Sequence, residues 1–140
     1  MSFGWRATSL LIIFCLSAIS IFTFAEEAKQ DPREQAWQIL RTGLEEKKAP
    51  ERAVAVQALS LLPGNRRATT FAITALHDKN AEVRTAAAVV LGQQHARSAV
   101  SELKQALTDS EITVVLAAAH SLLLLKDPAA YDVYYAVLIG

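Results

Sequence analysis

The sequence predicts an all-α fold, an α-solenoid of about three two-helix repeats preceded by a leading helix. Two stretches, Asp78–Leu107 and Asp109–Leu138, align at an offset of 31 residues, and their alanine triplets Ala86–Ala88 and Ala117–Ala119 coincide. No stretch alternates apolar and polar residues over the length of a strand. A period of this size is typical of repeat proteins, in which each unit buries its apolar face against its neighbours. Further matched pairs are Val83 with Val114, Leu91 with Leu122, Ala99 with Ala130, and Leu107 with Leu138.

A weaker copy of the repeat precedes these two. Residues 52–77 fit the same frame when a one-residue insertion is allowed near Pro63 and Gly64, and Leu59 then matches Leu91. The predicted repeat domain therefore covers residues 32–140, with a leading helix at 32–48 and repeats at about 49–77, 78–108 and 109–139.

The first 25 residues have the pattern of a secretory signal peptide. Residues 7–25 are uncharged, Arg6 precedes them, and small Ala25 stands before the acidic pair Glu26–Glu27, which favours cleavage after Ala25. The alternative is an uncleaved membrane anchor, because 19 uncharged residues are enough to span a bilayer. In either case we expect the rest of the chain to be exported, as a periplasmic or secreted protein.

Composition excludes several partners and chemistries for the exported part. Cys15 is the only cysteine and lies in the predicted signal segment, so the mature chain would contain no disulfide or thiolate ligand. Without Arg6, the 14 basic residues become 13 against 14 acidic ones. A basic excess is needed for binding to phosphate backbones, so we expect no nucleic-acid partner. We expect contact with a membrane only if the N-terminal segment stays uncleaved.

The leading helix has a clear start signal after a short linker at residues 26–31. Asp31 can accept hydrogen bonds from first-turn amides, and Pro32 at the first helical position loses no useful donor. We expect Trp37 to pack onto the first repeat. The apolar residues at helical spacing are Ala36, Trp37, Leu40 and Leu44.

Each later unit reads as two helices joined by a short turn. In the middle unit the first helix is predicted at Ala81–Leu91, with Gly92 as a left-handed cap, and the second at Ala96–Thr108. In the last unit Asp127 and Pro128 are predicted to begin the second helix, with the aspartate as its cap, as Asp31 and Pro32 do in the leading helix.

The alanine triplets predict close helix contacts. Alanine has the highest helix propensity, and its small side chain lets two helix backbones approach. We therefore expect Ala86–Ala88 and Ala117–Ala119 to lie where one helix presses on its partner.

These residues give the chain a resemblance to the HEAT-repeat family, and more closely to its short-repeat branch related to the bilin lyases. The resemblance covers about residues 49–139 and implies an α-solenoid of the kind found in scaffolds, adaptors and a few enzymes. The last unit departs from the pattern, because Val115 replaces the usual arginine and Leu123 replaces the glycine. The matching residues are Asp78, Val83, Arg84, Ala86, Ala87, Ala88, Leu91, Gly92, Ala99, Val100, Leu103, Ala106, Leu107 and Asp109.

Residues able to perform chemistry are few and scattered. His77, His95 and His120 are separated by 18 and 25 positions, which matches no compact ligand motif. No serine lies in a Gly-x-Ser-x-Gly setting, and no glycine-rich phosphate loop is present. We expect no catalytic residue, metal or cofactor. The pair Arg66–Arg67 is interpreted as an exposed turn, with binding of an acidic group as the alternative.

The second helices of the repeats are the predicted recognition surface, because in such superhelices they line the concave side. Tyr135 is the best single anchor, since tyrosine offers a rigid area with a polar tip; the alternative is that it only covers the final edge. This second-helix row comprises Thr70, Ile73, Thr74, His77, Ser101, Lys104, Gln105, Thr108, Asp132, Tyr135 and Ile139.

The last unit carries an apolar edge with three interpretations. Leu122–Leu125 is a continuous apolar run, and the final helix contains Tyr131, Tyr134 and Tyr135. The chain is a truncated part of a longer repeat array, or this edge pairs with itself or a partner, or the tyrosines cover it adequately.

The sequence thus predicts an exported, non-enzymatic module that presents a helical-repeat surface to another protein, with self-association through the C-terminal edge as a further expectation. Two alternatives stay open at this point. One is a subunit or fragment of an enzyme like the bilin lyases, and the other is part of a longer structural array.

Overall fold

The computed structural model describes residues 31–139, without the side chains of Val137 and Leu138. The predicted signal peptide or anchor, Cys15 and most of the linker therefore lie outside the described residues. The chain divides into two compact parts, residues 1–37 and 38–140.

In the first part, the described residues 31–37 contain the start of helix α1, Pro32–Leu44. The Asp31 carboxylate accepts a hydrogen bond of 3.0 Å from the backbone N–H of Arg33, which confirms the predicted cap. Trp37 is half-buried. Its expected packing onto the first repeat involves both parts of the chain and stays a prediction.

Helix α1 ends at Leu44, four residues before the predicted Lys48. The predicted end is too late because Lys48 has an extended backbone and is the N-cap of the next helix, whose first turn accommodates Pro50. Within residues 38–140, α1 packs closely on that next helix, because a β-carbon on Gly43 would lie 2.9 Å from the Ala55 β-carbon.

Three helix pairs follow. The first helices pack on one another in order, α2 on α4 and α4 on α6, and the second helices α3, α5 and α7 pack against them. All regular structure within residues 31–139 is helical, which confirms the predicted α-solenoid. No helix in this range combines the length and apolar character needed to cross a membrane. The pairs are α2 (Ala49–Ala58) with α3 (Arg66–Ala75), α4 (Ala81–Gln93) with α5 (Val100–Ala106), and α6 (Ile112–Leu124) with α7 (Ala129–Ile139); short 3₁₀ turns follow α2 at Leu59–Leu61 and precede α5 at Arg97–Ala99.

The core lies along the first helices. Both alanine triplets are buried, and Ala87 and Ala118 at their centres have no exposed surface, as their small size predicts. Branched residues fill the space between these close contacts. The largest fully buried apolar side chains are Val56, Leu59, Val83, Val90, Leu91, Leu103, Val114 and Leu122.

The prediction that Gly92 is a left-handed cap is wrong. Helix α4 continues through Gly92 to Gln93, and the left-handed residue is His95, with φ of 50°. The Ala96 N–H donates to the Leu91 carbonyl at 3.0 Å, the six-to-one bond of a Schellman turn. Gly92 is needed for a different reason, since it lies against α6.

The turns inside the helix pairs share one backbone conformation. Gly64, His95 and Lys126 have φ of 73°, 50° and 60°, and they are spaced by 31 residues. Only the first is a glycine, so the other two turns carry a side chain in a conformation that L-residues rarely adopt. In the last pair Asp127 accepts from the Ala129 N–H at 3.0 Å, which confirms the predicted capping at Asp127–Pro128.

Candidate functional site

Two partly buried ion pairs join successive helix pairs at corresponding positions. Arg52 donates to the Asp78 carboxylate from Nε at 2.8 Å and from Nη2 at 2.7 Å. Arg84 donates to the Asp109 carboxylate with the same two distances. Such two-point contacts are the strongest form of this pair and fix both groups in orientation. Val115 stands at the next arginine position and cannot continue the series.

Other hydrogen-bonding groups of these pairs also have partners. Nη1 of Arg84 donates to the Asp78 carbonyl at 2.9 Å, and the Asp78 and Asp109 carboxylates accept from the backbone N–H groups of Asn80 and Glu111. The guanidinium groups lower the pKa of Asp78 and of Asp109 below the usual value, chiefly through these hydrogen bonds. The pairs therefore hold the units together and are not available to a ligand.

Two buried polar side chains make further contacts between units. Gln94 donates from Nε2 to the Leu59 carbonyl at 2.7 Å and accepts from the Thr69 hydroxyl at 3.1 Å. The Ser121 hydroxyl donates to the Ala88 carbonyl at 2.7 Å. Sequence reasoning missed both residues, because the repeat frame places Leu125 and Val90 at their corresponding positions and so gives no periodic signal.

The second-helix row lies on the surface of α3, α5 and α7 and in the turns that follow α3 and α5. Ten of its eleven members are exposed, and Ile73 is half-buried. The members recur at the 31-residue spacing, for example Thr70, Ser101 and Asp132. The structure thus leaves the predicted row accessible along the array.

Some members of the row are partly engaged within the chain. The hydroxyls of Thr70, Thr74 and Thr108 donate to carbonyls of their own helices or helix ends. Lys104 forms an ion pair with Asp127 of the following unit at 3.0 Å, although its side chain remains 46% exposed.

Other members are free to meet a partner. The side chains of Gln105, Asp132 and Tyr135 make no hydrogen bond to another described residue, and Tyr135 is 62% exposed. Their placement along α5 and α7 gives the row a polar centre and an aromatic end.

A cleft of about 440 Å³ adjoins the row between the first two helix pairs. Arg66, Thr70 and Ile73 of α3 form one side, and the turn around His95 forms the other. Sequence analysis did not find this cleft, because its second side comes from a turn that only the stacking of units brings near α3. The lining residues not singled out for binding are Gly64, Thr69, Gln94, Ala96 and Ser98.

The interpretation of Arg66–Arg67 as an exposed turn needs correction. Both residues begin helix α3, where the Asn65 side chain accepts from the Ala68 N–H at 3.1 Å. Arg66 is exposed beside the cleft, whereas Arg67 is half-buried and has a partner within the chain. Only Arg66 is available to an acidic group.

The histidines lie on separate elements. His77 follows α3, His95 occupies the left-handed turn and His120 lies in α6, and all three are exposed. Within residues 31–139 no group of three or more His, Cys, Asp or Glu side chains is arranged to hold a metal ion.

The fold and these contacts define an α-helical repeat protein in which paired helices stack through their first helices. A family model for HEAT repeats matches residues 69–136, from α3 to α7. Residues 69–136 of this chain are therefore HEAT repeats. The match is to HEAT repeats in general, so the finer resemblance to the bilin-lyase branch stays a prediction. No curated protein matches the chain.

Proposed function

We propose that this chain is an exported, non-enzymatic interaction module that binds another protein through the second-helix row. The observation that carries the proposal is the row itself, which is exposed on α3, α5 and α7 at a constant spacing. HEAT repeats generally mediate contacts between proteins. The partly buried ion pairs between successive helix pairs support this role, because they hold the row in a fixed arrangement before binding.

The chemistry of the row indicates the kind of segment that it binds. At the first unit Arg66 stands beside the cleft and favours an acidic side chain of the partner. At the last unit Tyr135 offers a large, rigid contact with a polar tip. Gln105 lies between them on α5 and suits hydrogen bonds. The partner segment would therefore combine a carboxylate at one end with an apolar group at the other.

Export is supported by the sequence of residues 1–25 and by the use of cysteine. The only cysteine lies in that segment, so the folded part contains no thiol to oxidise outside the cytoplasm. N-terminal sequencing of the protein isolated from its source tests this part of the proposal. A chain that retains Met1 in the cytoplasmic fraction would contradict export.

The row is tested by photo-cross-linking in the native cells. A photoreactive phenylalanine analogue replaces Gln105 in one strain and Val54 in another. Val54 is a matched control because it is 65% exposed on α2, away from the row. The proposal predicts one recurrent protein adduct from position 105 and none from position 54. Equal adducts at both positions, or none at either, would contradict it.

A partner found in this way allows a second measurement. The variant Arg66→Ala should weaken its binding about tenfold, as expected for the loss of one charge-assisted contact of about 1.4 kcal/mol. Unchanged affinity would remove the assignment of the cleft while leaving the row in place.

A further inference from the structure

The last helix pair presents a surface of exposed, large apolar side chains. The exposed fractions run from 38% for Leu123 to 83% for Ile139, although these are large apolar side chains. We call this surface the end face. Its members are Ile112, Leu116, Leu123 and Leu124 of α6 and Tyr131, Tyr135 and Ile139 of α7.

Two positions of the end face correspond to positions through which the middle pair contacts the last one. Leu123 occupies the frame position of Gly92, which lies against Ser121 of α6. Tyr135 occupies the frame position of Lys104, whose amine reaches Asp127 in the following pair. In the middle pair these positions therefore face the next unit.

The same positions prevent another unit of this design from stacking on the end face. A β-carbon added at Gly92 would lie 2.5 Å from Ser121 Oγ and 2.9 Å from its α-carbon, so the leucine at position 123 is far too large for that spacing. Val115 also lacks the guanidinium with which Arg84 holds Asp109. The occupant of the end face must approach in a different way from a further repeat.

The charge distribution favours a second copy as that occupant. Helix α6 contains no Asp, Glu, Lys or Arg and one exposed histidine, His120, and α7 contains only Asp132 among these charged types. A two-fold interface places the same surface patch against itself, so a patch rich in one charge would repel its copy, whereas an uncharged apolar patch complements itself.

The size of the end face also fits a pair of chains. Seven large side chains with these exposed fractions offer on the order of 600–800 Å² of apolar surface, near the ~800 Å² that each partner of a standard interface contributes. The terminal oxygen atoms of Tyr131 and Tyr135 can hydrogen-bond at the rim.

We propose that two copies of this chain associate through their end faces, with α6 of one copy packed against α6 of the other. This inference goes beyond the proposed function. The row and the end face share only Tyr135 and Ile139, so variants of α6 test association while leaving the row on α3 and α5 unchanged.

The first experiment measures mass. The full chain is purified in mild detergent and its protein mass is determined by light scattering for wild type, Leu116→Glu and Val54→Glu. Wild type and Val54→Glu are expected at twice the mass of a single chain and Leu116→Glu at the single-chain mass. A monomeric wild type, a complex with a different protein in place of the pair, or a Leu116→Glu variant that remains paired would overturn the proposal.

The second experiment does not depend on a disruptive change. In a Cys15→Ser background, Leu116→Cys and Val54→Cys are oxidised in intact cells before extraction. Leu116 lies between Ile112 and Leu123 among the end-face residues of α6. The proposal therefore predicts a disulfide-linked dimer for Leu116→Cys and none for Val54→Cys. Absence of the dimer for Leu116→Cys under conditions that oxidise its thiol would overturn it.

Discussion

Ser121 and Gly92 set the distance between α6 and α4. The Ser121 hydroxyl donates to the Ala88 carbonyl at 2.7 Å, one turn before Gly92, and a β-carbon at Gly92 would lie 2.5 Å from the same oxygen. The serine thus binds the backbone of α4 at the point where the missing side chain admits it. The two residues form one contact between the middle and last helix pairs.

Gly92→Ala tests this contact. In an ordinary helix the change would stabilise the protein by about 1 kcal/mol, because alanine has the higher helix propensity. Here the new β-carbon would meet the backbone of α6, so we expect a net loss of about 1–3 kcal/mol in the free energy of unfolding. Urea denaturation followed by circular dichroism measures the difference.

A double variant provides the control for that prediction. Ser121→Gly alone loses the hydrogen bond, but together with Gly92→Ala it removes the two nearest atoms that the new methyl group meets, the Oγ and β-carbon of Ser121. The double variant should therefore be more stable than the sum of the two single losses predicts. Simple additivity would show that the two residues do not act on each other.

The alanine triplets predict a second effect of size. Ala87 and Ala118 have no exposed surface, so Ala87→Leu or Ala118→Leu should reduce the free energy of unfolding by about 1–3 kcal/mol through overpacking. Ala136→Leu, at an exposed position of α7, should change it by less than about 0.5 kcal/mol. Thermal unfolding of the three variants tests this difference, and equal midpoints would contradict it.

The left-handed turns predict changes of opposite sign. His95→Gly and Lys126→Gly should each stabilise the protein by up to about 1 kcal/mol, because glycine adopts a positive φ without steric cost. Gly64→Ala should destabilise it by about 1 kcal/mol for the reverse reason, although no atom obstructs the added methyl group. Chemical denaturation gives all three values, and a stabilised Gly64→Ala variant would refute the backbone argument.

The ion pairs between units predict a loss of stability in acid. The pKa values of Asp78 and Asp109 lie below 3.8 in the folded chain because Arg52 and Arg84 donate to them. A carboxyl group with a lowered folded pKa contributes stability above its unfolded pKa, and this contribution is lost as the pH falls through the folded value. Urea midpoints should therefore drop below about pH 4.

Removing one pair separates this effect from general acid denaturation. Arg84→Met should cost about 2 kcal/mol at pH 7, because the Asp109 carboxylate loses two charge-assisted hydrogen bonds. Between pH 5 and 3 the same variant should lose less stability than wild type. An identical acid profile would mean that the Arg84 pair does not contribute to it.

Features that recur in the sequence were the ones that sequence analysis predicted well. The fold class, the burial of both alanine triplets and the cap at Asp127 all follow from local propensity or from the 31-residue frame. The family assignment rests on the same periodic residues, since the HEAT-repeat model matches residues 69–136.

Features that depend on one unit meeting another could not be predicted in this way. Glycine is common at helix caps, so the sequence suggests that role for Gly92. Only the position of Ser121 shows that the missing side chain of Gly92 instead allows α6 to approach α4 closely. Gln94 and Ser121 have no counterparts in the frame, so nothing in the pattern marked them as contacts. The cleft beside Arg66 likewise exists only after the turn at His95 is stacked beside α3.

The middle helix pair contacts its two neighbours through different residues, and this difference limits which helix pair a gene duplication can repeat. The middle pair has both Asp78 and Arg84, so a tandem duplication of its 31-residue segment would keep an Arg–Asp ion pair at the new junction. A duplicated last pair would bring Val115 and Leu123 into the junction, where Val115 lacks the guanidinium and Leu123 is too large for the close approach seen at Gly92. Lengthening of this array by gene duplication is therefore more compatible with the middle pair than with the last one.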